Sequence, residues 1–161
     1  MDREGLIVRS LSPLLALLAL LACLATPARA AMQGEPQEFL GIPFGKPSEP
    51  DRSFVCEQDS EEGVSCTRAS DPLVLHGVPL KSLRYVFLLK YLYTVDAEVA
   101  GRERFDKLAA ELTARHGQPE KQPGGMLAWS GKNVDILLHY DAHRQVGEVD
   151  YIYKLLPCPV E

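Results

Sequence analysis

Hydrophobic residues along this chain fall mainly into short runs typical of β-strands. Residues 83–88 and 91–99 are rich in Tyr, Val, Phe and Leu and meet near Leu-Leu-Lys, which predicts a β-hairpin. The odd-numbered positions of 91–99 are mostly apolar and predict the buried face of that strand. Further strands are predicted at residues 38–44, 54–56, 64–68, 73–76, 126–130, 133–140 and 148–156.

Residues 102–116 have the periodicity of a helix instead of a strand. The apolar residues among them recur every three or four positions and form a single stripe. Gly117 suits the position that follows a helix, and Pro119 cannot continue one. Because strands precede and follow this helix through short links, the sequence predicts an α+β domain. We expect a meandering antiparallel sheet of short strands, with one amphipathic helix at about 102–116 packed on a face.

The first thirty residues have the pattern of an export signal. An apolar run of about 14 residues is shorter than the roughly 20 that a membrane span needs. Ala28 and Ala30 are the small residues that a signal peptidase requires. We therefore expect cleavage between Ala30 and Ala31, which leaves one mature domain over residues 31–161. That domain would be periplasmic or secreted, and its small, polar start predicts a flexible lead-in.

A second interpretation of this signal stays open. Residues 20–23, Leu-Leu-Ala-Cys, resemble a lipobox, in which Cys23 would be lipidated and become the mature N-terminus. The protein would then be a lipoprotein anchored through Cys23. Only in that case do we expect it to contact a membrane.

Three cysteines follow the signal. An exported protein meets an oxidising compartment, and the acidic, Gly-containing residues 57–63 form a good turn. We therefore favour a Cys56–Cys66 disulfide. Cys158 is then unpaired, and its alternatives are a buried free thiol, a reactive or intermolecular cysteine, or pairing with Cys56 or Cys66 instead. The chain has no Cys-x-x-Cys pattern, so a thioredoxin-type redox site is not predicted.

Charge excludes one class of partner. Removing residues 1–30, which carry three arginines and two acidic residues, from a chain with 17 basic and 22 acidic residues leaves 14 against 20. A net charge of −6 argues against nucleic acid as a partner, because phosphate binding needs a basic surface. The sequence also lacks a Gly-x-Ser-x-Gly nucleophile motif. We predict a non-enzymatic binding or envelope-associated protein without a cofactor.

The strongest candidate for chemistry is the segment 139–143. If the chain is extended there, His139, Asp141 and His143 share a face, and two imidazoles with a carboxylate are typical zinc or copper ligands. The alternative function is therefore a small metal-dependent hydrolase, or a metal-binding protein, that uses these three residues. Polar residues at the end of a hairpin are otherwise ordinary loop residues.

Aromatic residues on the predicted strands provide a candidate binding surface. Trp129, Tyr140 and Tyr151 are the residues that would grip a peptide, a glycan or another envelope protein, because Trp and Tyr are favoured in interfaces. The alternative is core and cross-strand packing. Residues 41–45 are a second candidate surface, which turn geometry alone would also explain.

Several short motifs together resemble a family. Residues 39–45 read Phe-Leu-Gly-Ile-Pro-Phe-Gly, two cysteines follow, residues 90–95 form a Lys-Tyr-Leu-Tyr-Thr-Val segment, and residues 115–119 read Arg-His-Gly-Gln-Pro. This set resembles small bacterial exported proteins of unassigned function that share an FxGIPFG-like opening. The resemblance spans most of the mature domain and implies its fold and compartment. It implies no catalytic residue.

Overall fold

The chain divides into two units, Met1–Ala30 and Ala31–Glu161. The computed structural model describes residues 31–59 and 63–154, all of them in the second unit. Its strands, in chain order, are β1 (Glu38–Phe39), β2 (Ile42–Pro43), β3 (Phe54–Asp59), β4 (Gly63–Arg68), β5 (Val74–Leu75), β6 (Val78–Pro79), β7 (Ser82–Leu88), β8 (Tyr91–Ala100), β9 (Glu120–Lys121), β10 (Leu127–Ser130), β11 (Val134–Asp141) and β12 (Val146–Tyr153). One α-helix, α1 (Arg102–His116), lies among these described residues, with a short 3₁₀ turn at Pro123–Gly125.

Eight of the strands form one sheet in the order β3-β4-β7-β8-β12-β11-β10-β9, and all of its neighbours are antiparallel. The other four strands form two separate hairpins, β1–β2 and β5–β6. This arrangement confirms the predicted α+β class, an antiparallel sheet with one helix. The central strands are not short, since β8 has ten residues and β11 and β12 have eight each.

Helix α1 covers one face of the large sheet. It packs on β8, β11, β12 and the small strand β6, and it buries Phe105, Leu108 and Leu112 from the predicted stripe. At Gly147 of β12 an added Cβ would lie 2.7 Å from the Phe105 ring and 2.8 Å from Val99. A glycine at this position therefore lets the first turn of the helix approach the sheet closely.

A β-bulge corrects the predicted face of β8. Val86 pairs with Thr94, but the next residue of β7, Phe87, pairs with Leu92, so Tyr93 is an extra residue without a cross-strand partner. The shift turns Leu92 into the core, where it is fully buried, and leaves Tyr93 half-buried. The prediction of a single alternation from 91 to 99 is wrong for this reason.

The predicted Cys56–Cys66 disulfide is present. The two cysteines are directly opposite each other on β3 and β4, and their sulfurs are 2.08 Å apart. Cys66 is buried against the core and Cys56 is exposed. The disulfide therefore clips the outermost strand of the large sheet to its neighbour, and it is consistent with an oxidising compartment.

The segment before β1 is fixed by hydrogen bonds. One carboxylate oxygen of Glu35 accepts the backbone N–H groups of Asn133 and Val134, the second at 2.7 Å. Gln33 and His116 bond each other twice: the Gln33 N–H donates to the His116 carbonyl, and His116 Nδ1 lies 3.1 Å from the Gln33 carbonyl. No helix within residues 31–59 and 63–154 is long and apolar enough to cross a membrane.

Candidate functional site

The two small hairpins follow the same sequence pattern. Residues 39–43 read Phe-Leu-Gly-Ile-Pro and residues 75–79 read Leu-His-Gly-Val-Pro. In each, a two-residue turn has positive φ at both positions, with 45° and 82° at Leu40 and Gly41 and 50° and 76° at His76 and Gly77. Paired positive φ values are typical of the tight hairpin turns that match strand twist. The single strand predicted at 38–44 is therefore wrong, because it reverses at Leu40.

Burial and hydrogen bonding repeat as well. Each hairpin buries the residue before the turn, the residue after the glycine and the residue after the proline. The Phe44 N–H donates to the Gln37 carbonyl at 3.0 Å, and the Leu80 N–H donates to the Leu73 carbonyl at 2.9 Å. Residues 37–44 and 73–80 are thus two copies of one eight-residue unit.

These two units form the walls of a concave surface of about 520 Å³, which we name the hairpin cleft. The same three positions of each unit line it: Glu38, Phe39 and Leu40 on one side, and Val74, Leu75 and His76 on the other. Gly34, Pro36, Arg115, His116 and Tyr151 complete the lining. A concave, mainly apolar surface with a few polar groups is the usual form of a binding site.

Two uncharged polar groups face each other in the cleft. Tyr151 is 3% exposed, and its hydroxyl oxygen lies 3.5 Å from Nε2 of His76, at the outer limit of a hydrogen bond. Burial raises the pKa of Tyr151. Burial, followed by the nearby Arg115 and His116, lowers the pKa of His76. Both side chains are therefore neutral near pH 7 and present hydrogen-bonding groups without charge.

Arg115 brings a positive charge to the lining of the cleft. Its guanidinium is half-exposed and lies 3.9 Å from Glu111 one helical turn earlier. That distance is longer than a charge-assisted hydrogen bond. His116 beside it is 7% exposed and is already held by the Gln33 carbonyl. Arg115 is thus the lining cation best able to meet an anionic group.

Apolar side chains stand exposed at the rim. Leu40 is 41% exposed and Val74 is 47% exposed, one on each hairpin, and Leu73 beside Val74 is 49% exposed. Scattered exposed apolar residues are ordinary on protein surfaces. Here, however, Leu40 and Val74 flank the same concavity, which favours an interaction surface.

The first hairpin is held in place by a charged network. The Arg68 side chain donates to the Leu40 carbonyl at 3.2 Å and to the Asp71 carboxylate at 2.6 Å. Asp71 also accepts the hydroxyl of buried Tyr85. The Phe39 ring meets the Tyr151 ring edge-on at 5.1 Å between centroids. The wall of the cleft is therefore fixed to the large sheet before any ligand arrives.

A second concave surface of about 670 Å³ lies on the polar face of the large sheet. Its central charges come from β7, β8 and β12 and from the turn before β12, and most of them are paired. Arg84 donates two bonds to one oxygen of Asp96, at 2.9 and 3.1 Å. Lys81 and Arg144 both bind Glu98, at 2.9 and 2.6 Å. Arg144 also binds Glu148.

Asp150 is the exception on this face. It lies directly across from Asp96, and no hydrogen bond or ion pair joins its carboxylate to another described residue. Burial, and then the negative charges of Asp96 and Glu148, raise its pKa to about 6, and Arg84 opposes that shift. Paired carboxylates that share one cation commonly hold a proton in this way.

The predicted aromatic surface is divided among three places. Trp129 is 2% exposed, and its indole N–H donates to the Gly117 carbonyl at 2.8 Å. Tyr140 is half-buried, with its ring centroid 5.2 Å from that of Phe105 on the helix. Of the three residues, only Tyr151 lines the hairpin cleft. None of the residues of the second candidate segment, 41–45, lines the cleft, although Leu40 just before it does.

The residues of the predicted metal site take other roles. His139 lies on β11 opposite Glu148, and the Asp141 carboxylate accepts the backbone N–H of His143 at 2.8 Å, which shapes the turn. Within residues 31–59 and 63–154, no group of three or more His, Cys, Asp or Glu side chains is placed to hold a metal ion. The structure does not bring His139, Asp141 and His143 together as a site.

The sequence interpretation missed His76, Arg115 and the role of Val74. The signal that finds His76 and the neighbouring Val74 is the repeated pattern of an apolar residue, any residue, Gly, Ile or Val, and Pro at 39–43 and 75–79. This pattern does not include Arg115. The predicted cleavage site at Ala30 and Ala31 lies at the edge of the described residues, since only Ala31 belongs to them. Cys23 and Cys158 lie outside them.

Comparison with known proteins adds no family to this description. No protein-family model, no curated protein and no solved structure matches the chain.

Proposed function

We propose that this chain is an exported, non-enzymatic binding protein, and that the hairpin cleft holds a segment of another envelope protein. The observation that carries the proposal is the cleft itself. Two copies of one hairpin unit present the exposed side chains of Leu40 and Val74, and the neutral polar groups of His76 and Tyr151 lie in the same lining. Interfaces of this kind combine an apolar rim with a few polar groups that set orientation.

Export is part of the proposal. The Cys56–Cys66 disulfide supports an oxidising compartment, and the signal pattern of residues 1–30 supports cleavage after Ala30. The test is the intact mass of the protein purified from its native envelope. A mass equal to that of residues 31–161, less two hydrogens for the disulfide, supports the proposal. A mass that begins at a lipidated Cys23 replaces it with a membrane-anchored form.

Binding at the cleft is tested by photo-crosslinking in the native envelope. A photoreactive residue placed at position 74 is expected to crosslink to a discrete partner, because Val74 lies at the rim of the cleft. Position 55 is the matched control: Val55 is also an exposed valine on an edge strand, at 70% exposure, but does not line the cleft.

The two positions decide the outcome together. Crosslinks from position 74 that are absent from position 55, and that Leu40→Asn removes, support the cleft as the binding site. Equal products from both positions, or none from position 74, contradict it. Asparagine is chosen at position 40 because it tolerates the positive φ found there.

A further inference from the structure

We infer that the hairpin cleft binds an extended peptide strand, which pairs with the outer edges of β1 and β5 and places a carboxylate beside Arg115. This inference rests on the proposed function and names the chemistry of its ligand. The backbone of the two hairpins, the prolines that follow their turns and the charges that line the cleft support it.

The backbone of the first hairpin leaves one residue facing outward. Hydrogen-bonded and non-bonded residue pairs alternate along antiparallel strands. The bond from Phe44 to Gln37 makes those two a bonded pair, so the next pair, Glu38 with Pro43, is a non-bonded pair. The N–H and C=O of Glu38 therefore point away from β2, toward the outer edge of β1.

The second hairpin repeats this arrangement. The bond from Leu80 to Leu73 makes Val74 and Pro79 the non-bonded pair. The N–H and C=O of Val74 therefore point away from β6. Val74 occupies the position in its unit that Glu38 occupies in the first, and both residues line the cleft. Among the described residues, β1 pairs only with β2, and β5 pairs only with β6.

The prolines make the hairpins one-sided. Pro43 on β2 and Pro79 on β6 lack the N–H that would point to the far edge of each hairpin. Proline at such a position blocks strand addition. A strand can therefore add at β1 and β5 but not at the opposite edges. An extended peptide between β1 and β5 would bond the outward N–H and C=O groups of both strands. Peptides join exposed sheet edges through main-chain hydrogen bonds of this kind.

The lining also specifies side chains. Along an extended peptide, every second side chain turns to the same face. The face that meets Phe39, Leu75 and the rim residues Leu40 and Val74 must be apolar. We therefore expect apolar residues at alternate positions of the peptide, with no requirement at the positions between them.

The positive charge of Arg115 specifies a carboxylate on the peptide. Arg115 is the charged group best able to take an anion, and the neutral His76 and Tyr151 add hydrogen bonds without repelling it. A carboxylate matches a guanidinium in both charge and geometry. The carboxylate comes either from the C-terminus of the peptide or from an Asp or Glu side chain, and the test below separates these sources.

The probe is a synthetic library of random peptides about six residues long, the length of a typical strand. Each is made with a free C-terminus and as an amide, and binding to the full chain is measured by fluorescence anisotropy. We expect binders with alternating apolar residues. N-methylation of the peptide backbone, one residue at a time, is expected to weaken binding about tenfold at two residues an odd number of positions apart, one facing Glu38 and one facing Val74. Successive N–H groups of a strand point to opposite edges, and each bonded N–H is lost.

Variants of the chain place the peptide. Val74→Asp is expected to weaken binding at least about tenfold, whereas Val55→Asp leaves it unchanged. Leu40→Asn provides a second cleft variant in case Val74→Asp does not fold. Arg115→Gln is expected to weaken peptide binding about tenfold, whether the carboxylate comes from the C-terminus or from an acidic side chain. Loss of binding on amidation assigns the carboxylate to the C-terminus, and its retention assigns it to an acidic side chain.

Several outcomes overturn the inference. These are a library without binders, binders that tolerate both cleft variants, and N-methyl effects that do not fall on two residues an odd number of positions apart. N-methyl effects without this spacing, combined with cleft-specific crosslinks from position 74, reject the strand and keep the proposed function. A helical segment or a second copy of this chain would give that result. Failure of both experiments rejects both.

Discussion

The hairpin cleft and the concave surface on the polar sheet face differ in how well their polar groups are satisfied. On the polar sheet face, Arg84 and Asp96 are joined by two hydrogen bonds, and Glu98 is held by two cations. In the hairpin cleft, the buried Tyr151 hydroxyl has a single contact at 3.5 Å. The sheet face is the larger of the two, at about 670 against 520 Å³.

Size alone therefore does not identify a binding surface. A face whose charges neutralise one another offers a ligand little, because each new contact must break an existing one. A cleft with exposed apolar rims and outward-facing backbone groups gains from being covered. The hairpin cleft is therefore the stronger candidate despite its smaller volume.

The largest expected effect comes from breaking the scaffold that both surfaces share. Gly147→Ala places a methyl group 2.7 Å from the Phe105 ring and 2.8 Å from Val99. Because the helix must move away from the sheet, we expect the free energy of unfolding to fall by about 2–3 kcal/mol. Urea denaturation measures it. An unchanged midpoint would show that the helix packs more loosely than described.

A smaller effect separates the cleft from the sheet face. Gly41→Ala and Gly77→Ala put a side chain at φ of 82° and 76°, where nothing lies within 4 Å of the added Cβ. Each is expected to cost about 1 kcal/mol, from the backbone alone. Crosslinking from position 74 should weaken as well, because the walls of the cleft distort.

Asparagine provides the control for these two substitutions. Gly41→Asn and Gly77→Asn are expected to restore most of the lost stability, because Asn tolerates positive φ. If Asn is as destabilising as Ala, the loss comes from side-chain crowding and the account of the turns is incorrect.

The smallest effects are pH dependences of opposite sign. The pKa of Asp150 is raised to about 6 in the folded state, so its stabilising contribution is full below its ordinary pKa and is lost as pH rises through about 6. Asp150→Asn is therefore expected to stabilise the chain by about 1 kcal/mol at about pH 7.5, less than the full shift implies because the carboxyl still contacts water.

The pKa of His76 moves the other way. It is lowered in the folded state, so its contribution is present above the ordinary histidine pKa and is lost as pH falls below it. His76→Asn should reduce the loss of stability on acidification from about pH 7.5 to about pH 5. Thermal melts of the two variants across this range measure both effects. If stability changed with pH in the same way in Asp150→Asn and His76→Asn, the opposite directions given to the two pKa shifts would be contradicted.

Local patterns predicted the elements that depend on local physics. Helix α1 begins and ends where spacing, Gly117 and Pro119 place its limits. The β7–β8 hairpin was likewise predictable from its β-branched and aromatic residues. The face of β8 was not, because the bulge at Tyr93 depends on register with β7 and leaves no mark in the alternation.

The site could be predicted only in part. Tyr151 was a candidate, but Trp129 and Tyr140 satisfied the same rule and serve the packing under the helix instead. Whether a strand aromatic faces a cleft depends on which distant hairpins cover it. The small, polar start of the domain likewise predicted a flexible lead-in, whereas Glu35 and Gln33 tie it to the β10–β11 turn and to the helix end.

The most direct test of the central claim is hydrogen exchange of the full chain, with and without a peptide binder from the library. The account predicts slowed exchange at the amides of Glu38 and Val74, on β1 and β5, with little change across β7, β8 and β12. Protection on the polar sheet face, with residues 37–44 and 73–80 unchanged, would contradict it and move the binding site to the other concave surface.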